Sequence, residues 1–270
     1  MTVLAGGVWC GQAFANRMQG DSPSLSPYQM NEWMQLGPDP LGRPYHVLHA
    51  KITQGAYAAA PSDSSMRAEA QGQSSVCSWG AVYLHYWRFM VPSDWVNYGP
   101  TSYAVVAQLH DVNSSAVPRR PAIAFEIVDN VLSIVMSIDS APSGQTLFSK
   151  RVSPGDELEI GIRVRWADQD HVPASSGFLE IFDGDRVAAQ ATGLNTWRDP
   201  GLADANPPYL KAGIYQPNTA DAWWTGRQLS MCHVASITAD DAETMASLRA
   251  WVNARLIAAS NRQRIALPGR

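Results

Sequence analysis

Arg67, Glu69 and Gln71 recur at every second position of Ser65-Met66-Arg67-Ala68-Glu69-Ala70-Gln71. In an extended backbone that spacing puts a cation, a carboxylate and an amide on one face. The same alternation places Gln108 and His110 on one side of Val105-Val106-Ala107-Gln108-Leu109-His110. It also places Tyr209, Lys211, Gly213 and Tyr215 on one side of Pro208-Tyr209-Leu210-Lys211-Ala212-Gly213-Ile214-Tyr215. Gly213 leaves open space between a cation and a phenol, a shape that suits a substrate groove. Taken singly the segments say little, because a lone histidine on a strand is more often structural than reactive. Together they supply an acid–base pair, an amide donor and two cations, with no metal-ligand set and no nucleophile triad.

Strands must carry these groups, and the chain has their rhythm. Between Tyr45 and Ile237, short runs rich in Val, Ile, Tyr, Phe and Trp alternate with Gly, Pro, Asn, Asp and Ser clusters. Eleven candidate strands follow: 45–52, 79–91, 103–110, 122–128, 131–138, 147–152, 158–166, 178–182, 186–190, 209–215 and 229–237. Asp129-Asn130 and Asp183-Gly184 each divide two runs by two turn-forming residues and read as tight hairpins. So many strands in one domain's length favour an all-β, two-sheet antiparallel sandwich of jelly-roll type. Residues 1–44 read as an irregular lead-in packed on the sandwich, 45–237 as the sandwich itself and 238–270 as a C-terminal α-helix and tail. The helix start is placed at Asp240-Asp241-Ala242-Glu243, with Met245, Leu248, Val252 and Leu256 sharing one face. Arg249, Arg255, Arg262 and Arg264 make this tail basic, suited either to its own sandwich or to a partner.

Composition narrows the classes. The 270 residues are 46% hydrophobic and only 16% charged, which excludes a disordered chain or a coiled coil. No apolar run approaches the roughly 18 residues of a membrane span. A net charge of −4 and a pI near 5.8 argue against broad nucleic-acid binding, which needs a basic face. Three widely spaced cysteines, Cys10, Cys77 and Cys232, suggest buried thiols rather than a disulfide framework or a zinc knuckle. The first residues lack the basic n-region of a secretory signal, having no Lys or Arg before Arg17. The segment Asp199 to Asn206 is open to a supporting calcium ion.

The Arg-x-Glu, Gln-x-His and Tyr-x-Lys-x-Gly-Ile-Tyr segments, in this order and on strands, resemble the signatures of jelly-roll polysaccharide lyases. The likeness is closest to the heparin-lyase-I-like group, with related signatures in alginate and glucuronan lyases. Trp87-Arg88-Phe89-Met90-Val91-Pro92 resembles that family's strand ending in a proline. Gly155 to Trp166, followed by Phe178 to Gly184, resembles the strand pair before the Tyr-x-Lys motif. The resemblance therefore spans roughly residues 45–237. The chain departs from the pattern at Leu109, where the family commonly has an aromatic, at Gln71, where alginate lyases continue to a second arginine, and in Gln216-Pro217-Asn218.

The resemblance implies a concanavalin-like jelly roll that cleaves a uronic-acid-containing polysaccharide by β-elimination, with no cofactor and no catalytic metal. The C5 proton is too weakly acidic to leave until the adjacent carboxylate is neutralised and the charge developing on it is held by fixed donors. Gln108 and Arg67 are the candidates for that task, with Lys211 as an additional cation. His110 and Tyr215 are the acid–base pair: a His near its ordinary 6.5 suits a base and a Tyr near 10 an acid, and the choice of base stays open, with Tyr215 as acid and also base and His110 sharing or orienting. Lys211, Glu69, Tyr209 and Gln71 are the expected substrate-binding residues. Tyr83, Tyr86, Trp87, Trp223 and Trp224 are candidates for stacking on sugars or for the core. The expected partner is an acidic polysaccharide met outside the cell or at a virion surface, where a depolymerase would work, with assembly partners at the termini. The alternative is a non-catalytic carbohydrate-binding or structural component of a phage-like assembly.

Overall fold

The period-two alternation becomes fifteen strands and one long helix in the computed structural model, which describes residues 3–8, 18–19, 34–53, 66–71, 76–95, 103–110, 121–138, 141–167, 173–194, 207–216 and 228–266. In chain order the strands are β1 (Val3–Val8), β2 (Met18–Gln19), β3 (Met34–Pro38), β4 (His46–Thr53), β5 (Met66–Gln71), β6 (Val82–Met90), β7 (Ala104–His110) and β8 (Ile123–Val128). They continue with β9 (Val131–Ile138), β10 (Ala141–Arg151), β11 (Glu157–Arg165), β12 (Phe178–Asp183), β13 (Arg186–Thr192), β14 (Tyr209–Gln216) and β15 (Gln228–Asp240). The helix α1 (Met245–Ala266) closes the order. No helix among the described residues is long and apolar enough to cross a membrane.

All pairings are antiparallel and fall into two sheets. Sheet A runs β13-β12-β11-β6-β15-β4-β3, and the far half of β15 also pairs β1. Sheet B runs β10-β9-β8-β7-β14-β5-β2. Asp129 and Asn130 both take positive φ, 47° and 58°, so the β8–β9 hairpin closes with a two-residue turn whose twist matches its strands. Lys150 of β10, an edge strand of sheet B, reaches Asp183 of β12, next to the edge of sheet A, at 2.7 Å and ties the two sheets together.

Two apolar layers follow from the alternation. Between the sheets, Leu210, Ala212 and Ile214 of β14, Ala68 and Ala70 of β5, and Ala107 and Leu109 of β7 pack with Trp87, Phe89, Ile160 and Met231 of sheet A. On sheet A's outer face, Met245, Leu248, Val252, Leu256 and Ala259 of α1 cover Leu84, Tyr86, Met90, Val234 and Ile237. A side chain on Gly161 would occupy the place of the Met245 sulfur, so a glycine there admits the helix start. The helix thus packs its apolar stripe, Met245 to Ala259, on its own sandwich, and Arg249 is held by Glu159 at 2.7 Å and by Asp185 at 3.0 Å.

Two details differ from the sequence reading. Residues 1–44 contain β1, β2 and β3 rather than only irregular chain. The run Val3–Val8 holds Gly6-Gly7 and so shows no alternation, and β3 ends in Gly37-Pro38, tolerable because it is an edge strand. The helix begins one turn later than Asp240 implied. Thr244 is its N-cap: the Ser247 N–H donates to Thr244 Oγ1 at 3.1 Å, while the Thr244 N–H donates to Ser247 Oγ at 2.9 Å. Asp240 instead closes the preceding turn, accepting from the Ala242 N–H at 3.1 Å.

Candidate active site

Sheet B brings the three polar segments side by side as neighbours in the order β7-β14-β5. Cross-strand register sorts their residues into rows. Tyr209 stands opposite His110, and their rings lie 6.2 Å apart. Lys211 stands between Gln108 on β7 and Gln71 on β5. Gly213 stands opposite Glu69, and Tyr215 stands between Arg67 on β5 and Val105 on β7. The alternate residues of these strands fill the core, so Glu69, Gln108 and Lys211 share the other face of sheet B.

Gly213 shapes the middle of this face. Its φ is +155°, and a Cβ there would fall on the Ala68 carbonyl and the Glu69 Cα, so only glycine fits. Above it Gln108 and Glu69 meet, the Gln108 Nε2 donating to Glu69 Oε1. The second Glu69 oxygen lies 3.7 Å from Lys211 Nζ. All three are almost completely buried, at 1%, 1% and 3% exposure for Gln108, Glu69 and Lys211. A carboxylate so enclosed needs its cation, and the cation needs its carboxylate. The Lys211 charge is thereby matched by Glu69, while the Gln108 amide is fixed with one N–H on Glu69.

Register shifts bend the sheet beside Tyr215. β7 carries one extra residue against β8 between Val105 and Ala107, and β14 carries one extra against β7 between Ala212 and Tyr215. Bulges of this kind increase twist and re-aim the side chains that follow them. They keep Tyr215 on the polar face, two residues past Gly213. His110 does not come to it. Tyr209, the neighbour of His110, is six residues from Tyr215, which is roughly 20 Å along β14 at about 3.3 Å per residue.

Residues 42–228 match the family model described as polysaccharide lyase. The chain belongs to that family. It is therefore an enzyme, a carbon–oxygen lyase acting on polysaccharide. Among solved structures the lyase is similar to an endo-β-1,4-glucuronan lyase from the fungus Trichoderma reesei, with a TM-score of 0.61 and 12% identity over 87% of this chain and 94% of that one. It is also similar to a family 7 alginate lyase in complex with product, with a TM-score of 0.50 and 16% identity over 76% and 83%. A β-glucanase catalytic domain from Podospora anserina scores 0.50 at 14% identity over 86% of each chain. At these identities the likeness establishes the fold. No curated protein matches the lyase in sequence. The heparin-lyase-I-like likeness rests on the sequence segments alone.

The aromatic candidates divide. Tyr83, Tyr86 and Trp87 belong to β6 in sheet A and are buried. The Tyr83 hydroxyl accepts from the Ser78 N–H at 2.8 Å, the Tyr86 hydroxyl donates to Glu159 at 2.6 Å, and the Trp87 indole packs 4.7 Å from Phe125. They are core residues, not sugar platforms. Trp223, Trp224 and the Asp199 to Asn206 segment lie outside the described residues. Cys77 and Cys232 are buried free thiols, each pushed up to about 12 by burial. Sequence reasoning passed over His233 of β15, whose Nε2 lies 3.0 Å from the Gly213 carbonyl. Its one visible signal was a histidine inside the apolar run Met231-Cys232-His233-Val234-Ala235.

Proposed function

We propose that the lyase cleaves a uronic-acid-containing polysaccharide by β-elimination on the polar face of sheet B. The observation that supports the reading is the register that sets Tyr215 opposite Arg67 on the neighbouring strand, on the sheet where the Gln108 amide is fixed by Glu69. Arg67 and the remaining Gln108 N–H hold the substrate carboxylate, so that charge building up as C5 loses its proton meets donors already in place. Tyr215 takes the C5 proton as phenolate and returns a proton to the glycosidic oxygen at C4. The C4–O bond breaks as the C4–C5 double bond forms, leaving a 4,5-unsaturated uronate on one fragment. Lys211 and Glu69 balance each other and add no net charge to the carboxylate site. His110 and Tyr209, at the far end of β14, bind a neighbouring sugar. The glucuronan and alginate lyases of similar fold support a uronate polymer as substrate, and the reading takes that polymer to be one met outside the cell, in a matrix or capsule.

The test is the ultraviolet absorbance of the unsaturated product on a panel of uronate polysaccharides. Tyr215→Phe is expected to lower kcat by about 10²- to 10⁴-fold. His110→Ala is expected to raise KM more than it lowers kcat. Equal kcat losses in the two variants would return His110 to the proton transfer. A flat trace with the native protein across the panel would favour a non-catalytic binding role.

A further inference from the structure

We infer that His233, a residue of the opposite sheet, is a positioning residue that holds the Gly213 bulge and so aims Tyr215; the kinetic consequence rests on the function proposed above. Against β5, strand β14 runs in unbroken register from Lys211 to Gln216. Against β7, Ala212 pairs Ala107 and Tyr215 pairs Val105, so Gly213 and Ile214 together face Val106 alone. Two residues opposite one cannot both keep a ladder partner on that side. A buried carbonyl left over in this way needs a donor from elsewhere. His233 supplies it across the sandwich, its Nε2 donating to the Gly213 carbonyl at 3.0 Å.

The donor is itself held firmly. His233 is fully buried, and its ring lies 5.7 Å from that of Phe89, its register partner on β6. β15 shifts register directly after it, with His233 opposite Phe89 and Ala235 opposite Arg88. One irregularity in each sheet therefore meets the other through this hydrogen bond. A longer contact, Trp87 Nε1 donating to the Lys211 carbonyl at 3.4 Å, braces the same strand two residues earlier. Gly213 has no side chain with which to anchor itself, and the backbone of β5 leaves no room for one. Its position is set from behind, and Tyr215 follows two residues later on the polar face. Only a ring protonated at Nε2 can make the bond. Burial pushes the histidine down to about 4, so the neutral Nε2–H tautomer persists through the neutral range.

His233→Phe keeps a ring and removes the donor, whereas His233→Gln keeps an N–H that can reach the same carbonyl. Both are compared with the native protein at a temperature where near-ultraviolet circular dichroism shows native packing. The Phe variant is expected to lose about tenfold or more in kcat with KM within about twofold, and the Gln variant to recover most of that loss. A Phe variant within about twofold of native kcat, or equal losses in both variants, overturns the inference. If the native protein cleaves no uronate polymer, the proposed function fails, and the positioning claim is read from the fluorine resonance of 3-fluorotyrosine at position 215. That resonance is expected to move in the Phe variant and to return in the Gln variant, and one position in all three proteins overturns it. Should the Phe variant not fold, the imidazole nitrogen spectrum of the native protein decides. The Nε2–H tautomer is expected at His233, and the Nδ1–H tautomer overturns the inference.

Discussion

On the helix-covered face of sheet A, Arg88 of β6 meets Glu157 of β11 at 3.0 Å and Arg249 of α1 meets Glu159 at 2.7 Å, with side chains 14–30% exposed. On the polar face of sheet B, Lys211 and Glu69 stand 3.7 Å apart with side chains only 4% and 2% exposed. The first group is redundant. Glu157 takes hydrogen bonds from both Arg43 and Arg88, which hold its carboxyl below the ordinary range although burial alone would raise it. Water can replace any one partner there. The second group has no such substitute, because both charges have already left solvent. Similar ionic chemistry fastens a helix on one face and fixes the Gln108 amide on the other, and depth of burial decides how much each pair matters.

The largest stability effect should come from opening the buried pair. Lys211→Met leaves the Glu69 carboxylate enclosed without its cation, a change expected to cost about 3–5 kcal/mol. Adding Glu69→Gln removes the stranded charge, so the double variant should recover much of the loss. Urea unfolding of the native protein, the two single variants Lys211→Met and Glu69→Gln, and the double variant measures the coupling. A single variant within about 1 kcal/mol of native would mean that the pair is hydrated and the contrast between the faces is false.

Acid should act next, through two histidines inside the sandwich. Burial pushes His85 down to about 3 and His233 to about 4, against an ordinary value near 6.5. Below pH 6.5 the unfolded chain takes up protons that the native chain refuses, so stability is lost as pH falls from 6.5 toward 4. Each histidine costs about 1.4 kcal/mol per pH unit in that window, or about 3 kcal/mol per unit for the pair. Unfolding free energies at pH 7.5, 6 and 5 give the slope. His85→Leu should remove close to half of it, and an unchanged slope would locate the acid sensitivity elsewhere. His85 Nδ1 lies 2.9 Å from Thr238 Oγ1, a contact that the neutral ring makes without cost.

What could be read in the sequence follows from range. The Asp129-Asn130 hairpin and the alternation of Tyr209, Lys211, Gly213 and Tyr215 are local, and both stand in the structure as the pattern implied. So does the two-sheet sandwich, since the eleven strands that spacing and turn residues mark are enough to require two sheets, although the described residues form fifteen. β1 was missed because Gly6-Gly7 carries no pattern, and its pairing with β15 lies more than 200 residues away in sequence. Register was the larger gap. That Gln108 meets Glu69 over Gly213, or that His110 faces Tyr209 rather than Tyr215, depends on how neighbouring strands slide and on bulges at Val106 and Gly213. A hydrogen bond from one sheet through the core to the other, as His233 makes, leaves still less trace in the order of residues.

The smallest effect should come from the helix clasp, and it bounds the comparison from the other side. Arg249 donates through Nε to Glu159 and through its terminal nitrogens to Asp185, which together with the Arg88 contact to Asn253 at 2.8 Å fasten α1 to sheet A. Asp185 is exposed, and salt screens that half of the contact. Glu159 keeps the Tyr86 hydroxyl when the guanidinium is gone. The apolar stripe of Met245, Leu248, Val252 and Leu256 stays in place whatever happens at the rim. Arg249→Ala is therefore expected to cost about 1 kcal/mol or less, shrinking further in high salt, while the loss in Lys211→Met should barely respond to salt. Urea unfolding of both variants at low and high salt measures this. If Arg249→Ala costs as much as Lys211→Met and keeps that cost in high salt, then α1 is held by charge rather than by its apolar stripe, and burial is not what separates the two faces.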